Sequence, residues 1–439
     1  MTAEIAIMNK TAVALATDSA VTIEHIGEQI GDKKVYNSAN KLFALSKYYP
    51  IGIMLYGSAN FMGIPWETII KIYRNKLGKQ KFDALKEYAD NFIDFLDNGN
   101  LLFPDSEQEK YLRDTIFGYF YHQIKEEIFE EVRSTIDNEG RIEDSRIEQI
   151  TSDVIERHHD HWNAVDLLPT IPKTHIKDII SKYGSIIDEV KNEMFEKLPI
   201  SKKSSEQLNE ICASLFSKNL FSSSKSGIVI AGFGEKDVFP VLKSFSLDGI
   251  VNNRLKYIEE YRTEINSDSS ASISAFAQSE MVIAFMDGID PDYRRRNEKY
   301  LSEIFDKYPD IIVKRIQNLS ESKRNALKEN LKQESDRLLK EYQELEEKYR
   351  IQNHVKPIIN MVAVLPKDEL AVMAESFVHL TSFKRKITMG AETVSEPIDV
   401  AVISKGDGFV WIKRKHYFKP ELNPHFFSNY YRDDDHEKE

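Results

Sequence analysis

The sequence is poor in cysteine and has no excess of basic charge. Its single cysteine, Cys212, excludes an intrachain disulfide framework and a zinc site built from several cysteines, and it fits a reducing compartment. Lysine and arginine number 59 against 71 aspartates and glutamates, which gives a net charge of −12. A protein that coats nucleic acid needs a positive surface, so we expect no nucleic-acid partner.

Membrane and secretion signals are also missing. No apolar run approaches the roughly 18 residues of a membrane span. The start Met1-Thr2-Ala3-Glu4 has an early acid and lacks the basic and apolar parts of a signal peptide. We therefore expect a cytoplasmic protein without a membrane partner. The small second residue permits removal of Met1, so the mature chain is expected to begin at Thr2.

Apolar residues recur at period two in some segments and at helical spacing in others, which predicts an α+β protein. Helices are predicted over 59–98, 105–220, 293–355 and 366–386. The predicted strands are Thr2–Met8, Thr11–Thr17, Lys41–Leu45, Ile51–Tyr56, Gly227–Ala231, Val238–Ser246, Ser272–Ala277, Ile359–Val364, Ile398–Ser404 and Phe409–Arg414.

The first hairpin suggests chemistry at the amino terminus. A two-residue turn at Asn9-Lys10 would pair Met8 with Thr11, which places Thr2 opposite Thr17 with Asp18 one residue further. A threonine hydroxyl is a poor nucleophile until a base takes its proton. The free α-amine can act as that base, since its pKa lies near about 7.7–8.0. A nearby lysine would favour the neutral amine, and an aspartate would keep that lysine ionised.

The stretch from Thr2 to Ser19 resembles, without a gap, the start of mature proteasome β subunits and of the bacterial HslV peptidase. These are N-terminal-nucleophile (Ntn) hydrolases. The resemblance assigns the nucleophile to Thr2 and the acid to Asp18. The family's lysine lies on the next strand, where Lys41 fits the spacing to Gly57 better and Lys34 stands at the ungapped position. We prefer Lys41 and keep Lys34 as the alternative.

Three further segments extend the resemblance. The turn around Ser279 matches the place of a serine that supports the nucleophile's amine, although Gln278 and Glu280 replace the usual glycines. Glu392 and Ser395 match an aspartate and a serine before the penultimate hairpin. A backbone N–H near Gly57-Ser58 corresponds to the oxyanion donor.

The family fold is a four-layer αββα sandwich, and here two helical regions would interrupt it. The resemblance covers 2–98, 226–292 and 358–418. The helical insertions would occupy 99–225 and 293–357, and an acidic tail 419–439 would follow.

The resemblance implies a threonine peptidase that cleaves a polypeptide or amide without a metal or organic cofactor. It also implies a homo-oligomeric ring, which an ATPase or another regulatory partner could join. Two alternatives stay open: an Ntn amidohydrolase for small amides, and a non-catalytic scaffold that retains the fold.

Three other motifs have simpler structural interpretations. The run His158-His159-Asp160-His161 could bind a metal but is better interpreted as a solvated helix face. Gly232-Phe-Gly234 lacks the features of a phosphate loop and indicates a turn. Arg294-Arg295-Arg296 could bind an acidic partner, although a solvated first helical turn is favoured.

Overall fold

The computed structural model describes residues 3–24, 33–97, 102–318, 320–388, 394 and 396–430. The strands are β1 (Ala3–Asn9), β2 (Val13–Thr17), β3 (Val21–Glu24), β4 (Lys33–Tyr36), β5 (Leu42–Ala44), β6 (Ile51–Gly57), β7 (Asn60–Phe61), β8 (Ile64–Pro65), β9 (Ser226–Gly232), β10 (Val241–Val251), β11 (Arg254–Glu264), β12 (Ala271–Ala277), β13 (Asp399–Ser404) and β14 (Gly408–Lys413).

The helices agree only in part with the predicted stretches: residues 60–65 form β7 and β8 instead, and Glu280–Asp287, Lys356–Val362 and Pro424–Tyr430 are helical outside those stretches. They are α1 (Trp66–Leu77), α2 (Leu85–Asp97), α3 (Asp105–Tyr119), α4 (Glu126–Glu139), α5 (Asp144–Ala164), α6 (His175–Phe195), α7 (Lys202–Leu215), α8 (Glu280–Asp287), α9 (Pro291–Arg315), α10 (Glu321–Arg350), α11 (Lys356–Val362), α12 (Lys367–Ile387) and α13 (Pro424–Tyr430). Short π-helical segments, Phe120–Lys125 and Ile351–Val355, join α3 to α4 and α10 to α11.

The chain divides into two compact units. The first comprises Met1–Leu42 and Glu264–Glu439. Its five-stranded sheet has the order β12-β1-β2-β13-β14, and every neighbouring pair is antiparallel. Helix α12 packs on β1 and β2 through an apolar stripe that includes Leu370, Ala374 and Phe377. Small strand residues such as Ala14 and Ala16 face that core, which allows the helix to approach closely.

The second unit, Phe43–Thr263, contains a sheet of order β11-β10-β9-β6-β5. Strand β9 pairs antiparallel with both β10 and β6. One core lies between this sheet and helices α1 and α2, where Trp66, Ile70 and Tyr73 follow the helical period. A second core is formed mainly by α3 to α7, which occupy most of the predicted insertion 99–225.

Two further predictions about local structure are wrong. The segment Ile359–Val364 is not a strand, because α11 continues to Val362 and a turn follows. Ile358, Ile359 and Val362 contribute to the apolar core of the first unit from this helix. A short apolar run is compatible with a strand or with a helix. Here the segment packs in the core as a helix.

The first hairpin turns one residue later than predicted. Lys10 and Thr11 form the turn, and the Asn9 N–H donates to the Ala12 carbonyl at 3.1 Å. The Asn9 side-chain oxygen accepts from the Thr11 N–H at 2.9 Å and from the Ala12 N–H at 3.3 Å. An asparagine side chain can organise a turn in this way without glycine.

The mixed α+β class is confirmed, whereas the four-layer arrangement stays a prediction. Within the described parts of the chain, none of the helices combines the length and apolar character that crossing a bilayer would require.

Candidate active site

A buried ion pair lies at the end of β2 in the first unit. The Lys41 ammonium donates to Asp18 Oδ1 at 2.7 Å, and the side chains are 8% and 0% exposed. Asp18 Oδ2 also accepts from the Ala20 N–H at 2.9 Å. Charge-assisted hydrogen bonds of this length are strong and hold both groups in place. The structure thus brings together the predicted acid and the preferred lysine.

The same carboxylate is tied to the first strand. Asp18 Oδ1 accepts from the Ala3 N–H at 3.1 Å, and the Asp18 N–H donates to the Ala3 carbonyl at 3.2 Å. Glu4 of β1 pairs with Thr17 of β2. The prediction placed Thr2 opposite Thr17, so the observed register is shifted by two residues. Asp18 therefore lies opposite Ala3, the residue that follows Thr2 in the sequence.

A second buried ion pair lies beside the first and was not predicted. Asp399 opens β13 directly opposite Thr17, and its carboxylate accepts from the Lys415 ammonium and, at 2.8 Å, from the Lys415 N–H. Burial lowers the pKa of the Lys415 ammonium and Asp399 opposes this shift, while Lys41 lowers the pKa further. The two pairs therefore interact electrostatically. An aspartate at the start of an otherwise apolar strand was the available signal in the sequence.

Polar groups form a cross-strand row next to these pairs. Glu4, Thr17 and Asp399 occupy paired positions on β1, β2 and β13, and all three are buried. The Thr17 hydroxyl oxygen has no hydrogen-bond partner among the described residues. Such a concentration of buried polar groups at one end of a sheet is costly to fold and is typical of a functional site.

Ser279 lies directly before α8, at the turn that follows β12. Ala277 at the end of β12 pairs with Ala3 and has a φ of 60°, a backbone conformation that normally favours glycine. Arg385 of α12 donates to the Gln278 side chain at 2.8 Å and lies 3.8 Å from the Glu280 carboxylate. One arginine therefore contacts both residues that stand where the resemblance expects glycines.

Gly57 and Ser58 belong to the second unit, at the end of β6. Gly57 has a φ of 80°, and a Cβ there would lie 2.3 Å from the Lys225 carbonyl oxygen. The Ser58 N–H donates to that carbonyl at 3.3 Å. The Ser58 N–H therefore has a partner within the second unit, and Gly57 pairs with Ser226 of β9.

Three predicted site residues, Thr2, Glu392 and Ser395, lie outside the described residues. The alternative lysine, Lys34, occupies β4 opposite Ile23 in a separate two-stranded sheet.

The histidine motif is engaged in contacts on the surface of α5. His158 Nε2 lies 2.8 Å from Glu127, and His159 Nε2 lies 2.7 Å from Glu210. Within the described ranges, no three histidine, cysteine, aspartate or glutamate side chains gather as metal ligands would.

The glycine and arginine motifs also agree with their simpler interpretations. Gly232 and Gly234 lie where β9 ends and the connection to β10 begins. Arg294 to Arg296 lie in the first turns of α9, and Arg294 donates to Glu298 at 2.9 Å.

Comparison with known protein families and with curated proteins finds no match to this chain.

Proposed function

We propose that this chain is an Ntn hydrolase whose nucleophile is the Thr2 hydroxyl after removal of Met1. The observation that carries the proposal is the buried Asp18–Lys41 pair bonded to the N–H of Ala3, next in sequence to Thr2. A fixed ammonium close to the start of β1 would favour a neutral α-amine there, which is the base the reaction needs. The proposed fold is the four-layer αββα sandwich.

In the proposed reaction the Thr2 hydroxyl oxygen bonds to the carbonyl carbon of a peptide or amide. The hydroxyl proton passes to the α-amine and then to the leaving nitrogen as the C–N bond breaks. Water then hydrolyses the resulting ester and restores the hydroxyl. Asp18 holds Lys41 in position, and Ser279 and Glu392 with Ser395 would orient the amine. The resemblance implies that a backbone N–H near Gly57-Ser58 would stabilise the oxyanion.

The test is intact mass spectrometry of the full chain with and without a threonine-directed β-lactone. We expect loss of Met1 and a single adduct that maps to Thr2. Thr2→Ala should abolish the adduct, and Thr2→Ser should retain it because a hydroxyl remains. Retained Met1 with no adduct would contradict the proposal and favour a scaffold that keeps the fold.

Substrate size distinguishes the two enzymatic alternatives. A peptidase should hydrolyse an unfolded protein such as casein, and its activity should be lost in Thr2→Ala. If only small amides are hydrolysed, the chain is an amidohydrolase that uses the same nucleophile.

A further inference from the structure

Helices α9 and α10 of the first unit form an antiparallel hairpin. The Lys328 ammonium lies 2.7 Å from Asp310 at one end, and Arg294 lies 3.9 Å from Glu346 at the other. Pro309 and Val313 of α9 and Ser335 of α10 are buried. The two helices pack mainly against each other, so these positions mark the side on which each helix contacts the other.

Large apolar side chains nevertheless remain exposed along both helices. Tyr300 and Tyr349 expose 64% and 63% of their surface, and Leu345 exposes 61%. The hairpin face, as we call this set, consists of Tyr293, Tyr300, Ile304, Tyr308 and Ile311 on α9 and Leu338, Tyr342, Leu345 and Tyr349 on α10.

Helical geometry places these residues on one side of the hairpin. Tyr308 precedes the buried Pro309 by one position, and Leu338 and Leu345 precede the half-buried Leu339 and Glu346 in the same way. One residue corresponds to a rotation of about 100° about the helix axis. In each helix the exposed apolar residues are therefore rotated in the same sense away from the side that contacts the other helix. Because the two helices run antiparallel, rotation in the same sense brings both sets of exposed residues to the same side of the hairpin.

The hairpin face is larger than the apolar patches of ordinary monomers. Five tyrosines and four aliphatic residues at these exposures present on the order of 1,000 Å². The largest patch on a typical monomer is roughly 300–600 Å², and a stable interface buries about 800 Å² per partner. Tyrosine is also enriched at protein interfaces because its ring is apolar and its hydroxyl can remain solvated.

We propose that the hairpin face binds the same face of a second copy of this chain about a two-fold axis. Such an interface must be self-complementary, since each patch meets its own copy. Charges of both signs border the face and compensate one another: Lys307 pairs with Glu303 within α9, and Arg337 pairs with Glu334 and Glu341 within α10. Such a border does not repel a second copy of itself. The inference does not depend on the proposed function.

The experiment compares the particle mass of the full-length wild-type chain with that of Tyr300→Glu/Leu345→Glu by light scattering after gel filtration. Both residues are exposed, so the fold should survive, which circular dichroism checks. We expect the wild-type particle to have twice the mass of the variant, with association weakened at least about 100-fold.

A matched control adds the same negative charge to the other side of α10. Gln333→Glu/Lys340→Gln changes two exposed residues there and should leave the wild-type mass unchanged. The proposal is overturned if the wild type has the mass of one chain. The hairpin face would then not bind a second copy and would be available to a different partner. It is also overturned if the Tyr300→Glu/Leu345→Glu variant keeps the wild-type mass.

Discussion

Asp399 lies directly opposite Thr17 on the neighbouring strands β13 and β2. Because Thr17 precedes Asp18, this pairing places the Asp399–Lys415 pair next to the Asp18–Lys41 pair. The pKa of Lys415 responds to the charges of both Asp18 and Lys41. The candidate site therefore contains two interacting ion pairs, one of which the family resemblance did not include.

Replacing Lys41 tests the role of the first pair. Lys41→Met removes the ammonium that would favour a neutral α-amine, so the rate of β-lactone modification at Thr2 should fall by about 100-fold or more. The rate is measured by intact mass over time. Lys367→Met is the matched control, because it removes a half-exposed ion pair with Asp407 and should leave the rate unchanged. A rate unaffected by Lys41→Met would contradict the assigned role.

The Asp399–Lys415 pair makes a prediction about stability. Asp399→Asn leaves the Lys415 ammonium buried without its counter-charge, so the free energy of unfolding should decrease by about 3 kcal/mol. The double variant Asp399→Asn/Lys415→Met should recover much of this loss, because no buried charge is left unpaired. Urea denaturation measures both, and a double variant no more stable than the single one would contradict this account.

Two glycines with the same φ allow backbone strain to be distinguished from steric clash. Gly57 and Gly63 both have a φ of 80°, but only Gly57 has a carbonyl oxygen where a Cβ would lie. Gly63→Ala should cost about 1 kcal/mol of stability for the positive φ alone. Gly57→Ala should cost roughly 1–3 kcal/mol more. Equal losses in urea denaturation would show that the contact with Lys225 is relieved at no cost.

His175 predicts a pH dependence of stability. The side chain is buried, its Nδ1 lies 2.9 Å from the Ser217 hydroxyl, and burial lowers its pKa below the usual value of 6.5. As the pH falls below 6.5, the unfolded chain binds a proton that the folded chain does not, so stability is lost. Between about pH 6.5 and pH 5.5 the loss should be at most about 1 kcal/mol.

The variant His175→Gln tests this pH dependence, because glutamine can keep a hydrogen bond but does not titrate. Its free energy of unfolding should fall less than that of the wild type over the same interval. Equal pH dependence in the two proteins would assign the effect to other groups.

Most of the local structure could be predicted from the sequence, because it depends on the spacing of apolar residues. The stripe of Trp66, Ile70 and Tyr73 predicted a helix, and the alternation after Ile398 predicted the hairpin of β13 and β14. The segment Ile359–Val364 could not be decided in this way. Its apolar run is too short to show a period, and only its packing in the core of the first unit made it helical.

The sequence by itself determined most of the larger helices and strands, although not β11 or α11, and the residue types available at the amino terminus, including Asp18 and two candidate lysines. Tertiary structure decided that Lys41 meets Asp18, since the spacing from Asp18 to Lys34 and to Lys41 does not by itself specify which lysine reaches the aspartate. It also decided that Asp399 pairs with Lys415 beside them. Such contacts join residues far apart along the chain, and local spacing carries no information about which of them meet.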